Sequence, residues 1–205
     1  MKLNIYVDGF NLYYGAVRRT PYKWLDISQM CRHLFPHDKI NKIKYFTARV
    51  SARPNDPDQP IRQATYWRAL QTIPGLSIIE GSFLVKNVSM PLANTNPRKY
   101  ALVIKTEEKG SDVNLATHLL NDAHQQDFET AVLVTNDSDL LEPMRIVNKE
   151  LGLPVGLLNP HKNPSFELRK HASFIKQVRE GVLRISQFPT VLTDFNGTFH
   201  KPASW

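Results

Sequence analysis

Four aspartates fall where the sequence pattern passes from one element to the next: Asp8, Asp112, Asp137 and Asp139. Two share one stretch, in which Ala131-Val132-Leu133-Val134 runs directly into Thr135-Asn136-Asp137-Ser138-Asp139. A short apolar run with β-branched residues reads as a strand buried on both faces. Open α/β sheets collect ligands at the carboxyl ends of such strands. Asp8 ends an earlier run of the same kind, Leu3 to Val7, and Asn11 follows about one helical turn later. Carboxylates converging on one sheet edge repel one another unless a cation lies among them. Carboxylate and water oxygens suit Mg²⁺ or Mn²⁺. Such an ion activates water and stabilises charge during displacement at phosphorus. Each acid also has a plainer reading. Asp112, Ser138 and Asp139 suit helix N-caps, and Asp8 before Gly9 suits a turn. Asp137 alone lacks an easy structural role. The chemical reading therefore rests on the four acids together with Asn11.

The elements that must position these residues alternate between strand and helix. Strands are expected at 3–8, 40–50, 76–79, 131–134 and 154–158, with an edge strand at 174–178. Helices are expected at 10–19, 25–35, 61–73, 113–125 and 140–151, and a short one from Ser165. The helix at 113–125 has an apolar stripe of Val113, Ala116, Leu119, Leu120 and Ala123. Pro143 falls in a first turn, and Gly152 suits a helix end. Residues 82–88 and 100–106 look like two strands around a turn-rich link, a hairpin-like excursion over about 81–106. The tail, Phe188 to Trp205, shows no periodicity. The alternation argues an α/β domain with a mainly parallel sheet over 1–180, followed by an extension at 181–205.

The chain has 205 residues, 41% of them hydrophobic, which suits one domain with a real core. A formal charge of +7 favours polyanions such as nucleic acid. Cys31 is the only cysteine, which excludes an internal disulfide and CxxC zinc sites. No signal peptide and no membrane-spanning stretch is seen, so a cytoplasmic location is expected.

Three segments carry a family resemblance: Tyr6-Val7-Asp8-Gly9-Phe10-Asn11-Leu12, Glu108-Lys109-Gly110-Ser111-Asp112-Val113 and Thr135-Asn136-Asp137-Ser138-Asp139-Leu140. In order and spacing they resemble the motifs of NYN domains, and more narrowly the LabA-like branch of the PIN-like nuclease superfamily. The resemblance implies a Rossmann-like three-layer sandwich and metal-dependent hydrolysis of RNA, single-stranded or structured. It implies Asp8, Asp112 and Asp137 as metal-site carboxylates, and Asn11 as the residue orienting the site or the scissile phosphate. Asp139 matches the second acid of the last motif, either binding metal through water or capping the helix. Asn136 stands where many relatives have Gly and keeps a polar, turn-compatible residue there. PIN-like relatives often pair, so a homodimer is among the expectations.

Lys109 could contact a phosphate, and Ser111 and Ser138 substrate or water, against solvated or capping roles. Arg18, Arg19, Arg49, Arg53, Lys86, Arg98 and Lys99 could form a basic track. Tyr13, Tyr14, Tyr66 and Trp67 could stack on bases or fill the core. None of the seven histidines forms a metal-ligand pair. Against the ribonuclease stand two other readings: a non-catalytic regulator binding RNA or protein through the same fold, and a hydrolase of small phosphate compounds.

Overall fold

A computed structural model describes residues 1–205. Strand β1 (Lys2–Asp8) forms its middle, buried from Leu3 onward. The chain then builds β2 (Lys39–Thr47) and β3 (Leu76–Glu80) outward on one side. After an excursion through β4 (Ser82–Pro91) and β5 (Tyr100–Lys109) it returns to the other side. There it adds β6 (Thr130–Val134), β7 (Val155–Asn159) and β8 (Phe174–Gln177). The six-stranded order is β3-β2-β1-β6-β7-β8, with every pairing parallel. The direction of strand addition reverses between β1 and β6, so their carboxyl ends flank the topological switch point.

Two cores cover the two sheet faces. Alternation along β1 sends Leu3, Ile5 and Val7 into one core, beneath α1 (Gly9–Leu12), α2 (Ile27–Leu34) and α3 (Gln59–Gln71). Tyr6 points to the other, beneath α4 (Ser111–His124), α5 (Leu141–Arg145) and α6 (Phe166–His171). Fully burying each aliphatic side chain contributes roughly 1.5–3 kcal/mol, and Val132, Leu133, Val134 and Leu157 show no exposure at all. The result is the expected three-layer, Rossmann-like sandwich. No helix is long and apolar enough to cross a membrane. Buried Cys31 has its thiol pushed up to about 12 by desolvation, so it acts as a small hydrophobe.

Several local readings change. On α4, Leu119 and Ala123 are buried and Ala116 and Leu120 pack against the same core as expected, Leu115 and Asp122 join the buried face, and Val113 is exposed. The helix begins two residues earlier than expected, at Ser111. The hairpin is longer than expected, and Glu107 to Lys109 continue β5 rather than leading into the helix. The first helix widens into a π turn at Tyr13–Val17, and a second π turn at Ile146–Glu150 follows α5.

The tail is also ordered. After α7 (Glu180–Ile185), strands β9 (Val191–Asp194) and β10 (Gly197–His200) form a hairpin against the first core. Phe188 and Phe199 meet Trp24 edge-on at 5.7 and 6.5 Å. The Trp24 indole N–H donates to the Pro189 carbonyl at 2.8 Å. Arg68 forks onto Asp194 with two 2.7 Å bonds and covers the Phe199 ring. A hairpin that inserts single aromatic anchors leaves no helical or alternating signature in its sequence.

Candidate functional site

Asp8 ends β1 and caps α1. Its Oδ1 accepts from the Asn11 backbone N–H at 2.9 Å, and its Oδ2 from the Thr135 hydroxyl at 3.2 Å. Gly9 lets the chain turn away at once. A Cβ there would meet the Tyr45 ring at 2.6 Å and the Phe46 carbonyl oxygen at 2.8 Å. The Asn11 side-chain Oδ1 accepts from the Asn136 N–H at 3.0 Å and lies 2.9 Å from His161 Nε2. Since that oxygen can only accept, this contact requires the His161 proton on Nε2. Asn11 thus ties the ends of β1 and β6 to the loop after β7.

Asp137 follows β6. Its N–H donates to the Thr135 hydroxyl at 3.1 Å, and its Oδ1 accepts from the Asp139 N–H at 3.0 Å. It therefore caps the 3₁₀ turn Ser138–Leu140. This corrects the sequence reading on two residues: Asp137 does have a structural role, and Asp139 is not the cap but lies in the turn that Asp137 caps. Asp112 is the second residue of α4, and the cap position belongs to Gly110, whose φ of +94° suits glycine. The Asp112 carboxylate is thus not engaged in capping.

One carboxylate oxygen each from Asp8, Asp112 and Asp137 comes within 4.8 Å of the other two. None of the three acids has a lysine, arginine or histidine nitrogen within 4.0 Å. Burial raises the Asp8 carboxyl above its ordinary value, and repulsion from Asp137 adds to this, while bonds from Asn11 and Thr135 oppose it. Asp112 is pushed up to about 6, first by burial and then by Asp8, Asp137, Glu108 and Asp139. Three hard oxygen donors with no fixed counter-charge fit a divalent cation, whose charge would reverse these shifts.

The other candidates separate. Asp139 adds negative charge near Asp112 without joining the triad. Ser138 is exposed with no side-chain bond. Lys109 is exposed and faces Glu107 at 3.4 Å. Arg49 is held by Glu80 and lies over Trp67, which is buried, and the Tyr66 hydroxyl is bonded to the Leu25 carbonyl. Thr135, Glu108 and His161 were missed. Glu108 accepts from the Ser111 N–H at 3.1 Å. Only Glu108 and Thr135 carried a signal, through their places inside the motif segments. His161 lies 150 positions from Asn11 and had none.

Next to the cluster is a cavity of about 360 Å³ between α1, the end of β2, α3 and the tail, and Gly9 forms part of its wall.

Residues 2–182 match the NYN domain family. The 6-hydroxy-3-succinoylpyridine 3-monooxygenase HspA of Pseudomonas putida is 30% identical over 236 residues, spanning all of this chain and 75% of the relative. A solved structure of a protein of unknown function from Vibrio parahaemolyticus aligns over 87% of this chain and 93% of its own, with a TM-score of 0.58. At 18% identity that likeness concerns the fold.

Proposed function

The chain belongs to the NYN domain family, a PIN-like nuclease domain, and on that footing we propose that it hydrolyses RNA phosphodiester bonds at a Mg²⁺ or Mn²⁺ site. The observation that carries this reading is the convergence of Asp8, Asp112 and Asp137 without a cationic partner. These three residues would hold the ion, which when bound supplies an activated water and neutralises charge developing on the phosphate. Asn11 and Thr135 fix the rotamer of Asp8 by direct hydrogen bonds. Asp137 is fixed by the turn it caps. His161 keeps the Asn11 amide facing the β6 end. Asp139 and Ser138 stand at the rim, where an outer-sphere or substrate contact is open to them. The basic surface, including exposed Arg18 and Arg19, holds the RNA backbone.

The test is incubation of the purified chain with labelled single-stranded RNA in Mn²⁺, in Mg²⁺ and in chelator. Cutting only with metal, leaving 5′-phosphate and 3′-hydroxyl ends, is the expected result. RNA binding that persists in chelator with no cutting in either metal would instead favour the non-catalytic regulator. We assign the nuclease unit to residues 1–180 and a supporting role to 181–205, in a cytoplasmic protein that pairs with its own copy. Light scattering on the purified chain checks the pairing.

A second reading has its own observation. The relative of all this chain's length is named for oxygenating a pyridine ring, and the cavity beside the cluster has aromatic walls. Monooxygenation consumes O₂ and a two-electron reductant. Consumption of both with a hydroxypyridine substrate, and no RNA cutting, would favour it.

A further inference from the structure

We propose that the cavity beside the acidic cluster binds one planar heteroaromatic ring bearing an anionic group. Its volume of about 360 Å³ lies at the small end of ligand sites, roughly 300–1,000 Å³, enough for one ring system with its substituent. Phe10, Tyr13, Tyr66 and Trp205 are among its walls, which suits a flat π system.

Its polar groups are unevenly committed. The Tyr66 hydroxyl is bonded to the Leu25 carbonyl, and Gln63 is bonded to the Ala48 carbonyl and the Val50 N–H. The hydroxyls of Tyr45 and Thr47 have no protein partner, although these residues are only 6% and 2% exposed. They are alternate residues of β2 and so share a sheet face. Both residues line the cavity, and their hydroxyl oxygens stay accessible there rather than sealed in the core. They are placed to meet ring nitrogens or exocyclic oxygens. Burial foremost, then the charge of Asp8, holds the Tyr45 phenol in its protonated, donating form.

The charges are equally uneven. Asp56 is taken by Arg62 through bonds of 2.5 and 2.6 Å. Lys23 has no acid within 4.0 Å, so the unneutralised charge on the wall is positive. Gly9 connects this wall to Asp8, so a seated ring lies beside the cluster.

The ring could come from a base in single-stranded RNA or from a free small compound. The RNA source rests on the ribonuclease reading, whereas ring binding itself does not. The test is therefore run on the full chain in chelator. Tryptophan fluorescence is titrated with uridine 5′-monophosphate, pyridine-3-carboxylate and, as a ringless control, ribose 5-phosphate. A single-stranded RNA decamer is titrated with one abasic position walked along it. The variant is Tyr45→Phe with Thr47→Val, which keeps shape while deleting both hydroxyls, and its Tm reports folding. Ring-bearing probes should bind about tenfold or more tighter than ribose 5-phosphate, and the double variant should lose about tenfold of that preference. A base from RNA is indicated when one abasic position weakens binding and the variant no longer senses it. A free compound is indicated when the walk is flat and the small probes keep their preference. Equal binding of ringed and ringless probes, or a preference undiminished in a folded variant, overturns the proposal. Failure of metal-dependent cutting alongside retained ring binding would remove the ribonuclease reading alone.

Discussion

Asp112 and Asp122 stand near opposite ends of α4 in contrasting surroundings. Asp122 is 4% exposed and receives the Lys44 ammonium at 2.6 Å and the Tyr6 hydroxyl at 2.7 Å. The Lys44 nitrogen also lies 3.2 Å from His118 Nδ1. Burial, helped by the Asp122 bond, raises the Tyr6 phenol above its ordinary range. Every charge in that group has a fixed partner, and the group joins α4 to β1 and β2. Asp112 faces other carboxylates and no cation, and its proton affinity rises through burial first and then their charges. An acid whose counter-charge is built in serves the fold. An acid whose counter-charge must come from solution weakens the empty fold and is available to a metal ion.

Exchanging acid for amide at the two ends of the helix should break the symmetry between them. At the cluster, Asp8→Asn or Asp137→Asn should lower RNA cleavage by about 10²–10³-fold or more, the range for removing one preorganised electrostatic group. Circular dichroism should show the fold intact. Wild-type rates in the double variant would remove both residues from the site. At the other end, Asp122→Ala should cost about 3 kcal/mol by urea denaturation, because it strands the Lys44 charge in a largely buried site. Its cleavage rate per folded molecule should stay at the wild-type level.

The effect of pH has a definite sign. The folded Asp112 carboxyl titrates at about 6 against an ordinary 3.8. Its protonated form therefore favours the fold, and that stability is complete below about pH 4 and lost as pH rises through about 6. In chelator, the unfolding free energy should fall across this window by on the order of 1 kcal/mol after discounting for the half-exposed position of Asp112, and Tm should fall with it. Asp112→Asn should flatten the slope, and Mn²⁺ should offset the loss in the wild type. A slope unchanged in the variant would assign it elsewhere. The smallest effect is expected from His161→Ala, which deletes a support of Asn11 without touching the cluster. Cleavage should drop by about fivefold, consistent with loss of one hydrogen bond of about 1 kcal/mol. His161→Gln should restore part of the rate, and KM should barely change.

The sheet was legible in the sequence because strands buried on both faces are continuous apolar runs. The triad was legible because Asp8, Asp112 and Asp137 lie inside three ordered motifs. Asp122 was passed over because charge pairs formed across 78 positions leave no local spacing signal. The same holds for His161. Val113 was misread because an apolar stripe does not mark its own centre: the buried face centres on Leu115, Leu119 and Asp122, a polar residue included, and Val113 falls outside it. The place of Lys109 was not legible because the neighbouring strand extends through it and brings it beside Glu107.

The β1–β6 pairing has a consequence for when the cluster can exist during synthesis. Asp8 and Thr135 are separated by 127 positions, and their bond forms only after β6 docks beside β1. Contacts of such long range are slow to form, since the intervening chain must first be ordered. A ribosome-bound chain that has made β1, β2 and β3 holds Asp8 alone, and even completion of α4 adds only Asp112. The triad is complete only once Asp137 has been made and β6 has docked beside β1, so a shorter nascent chain carries some of the acids but not their convergence.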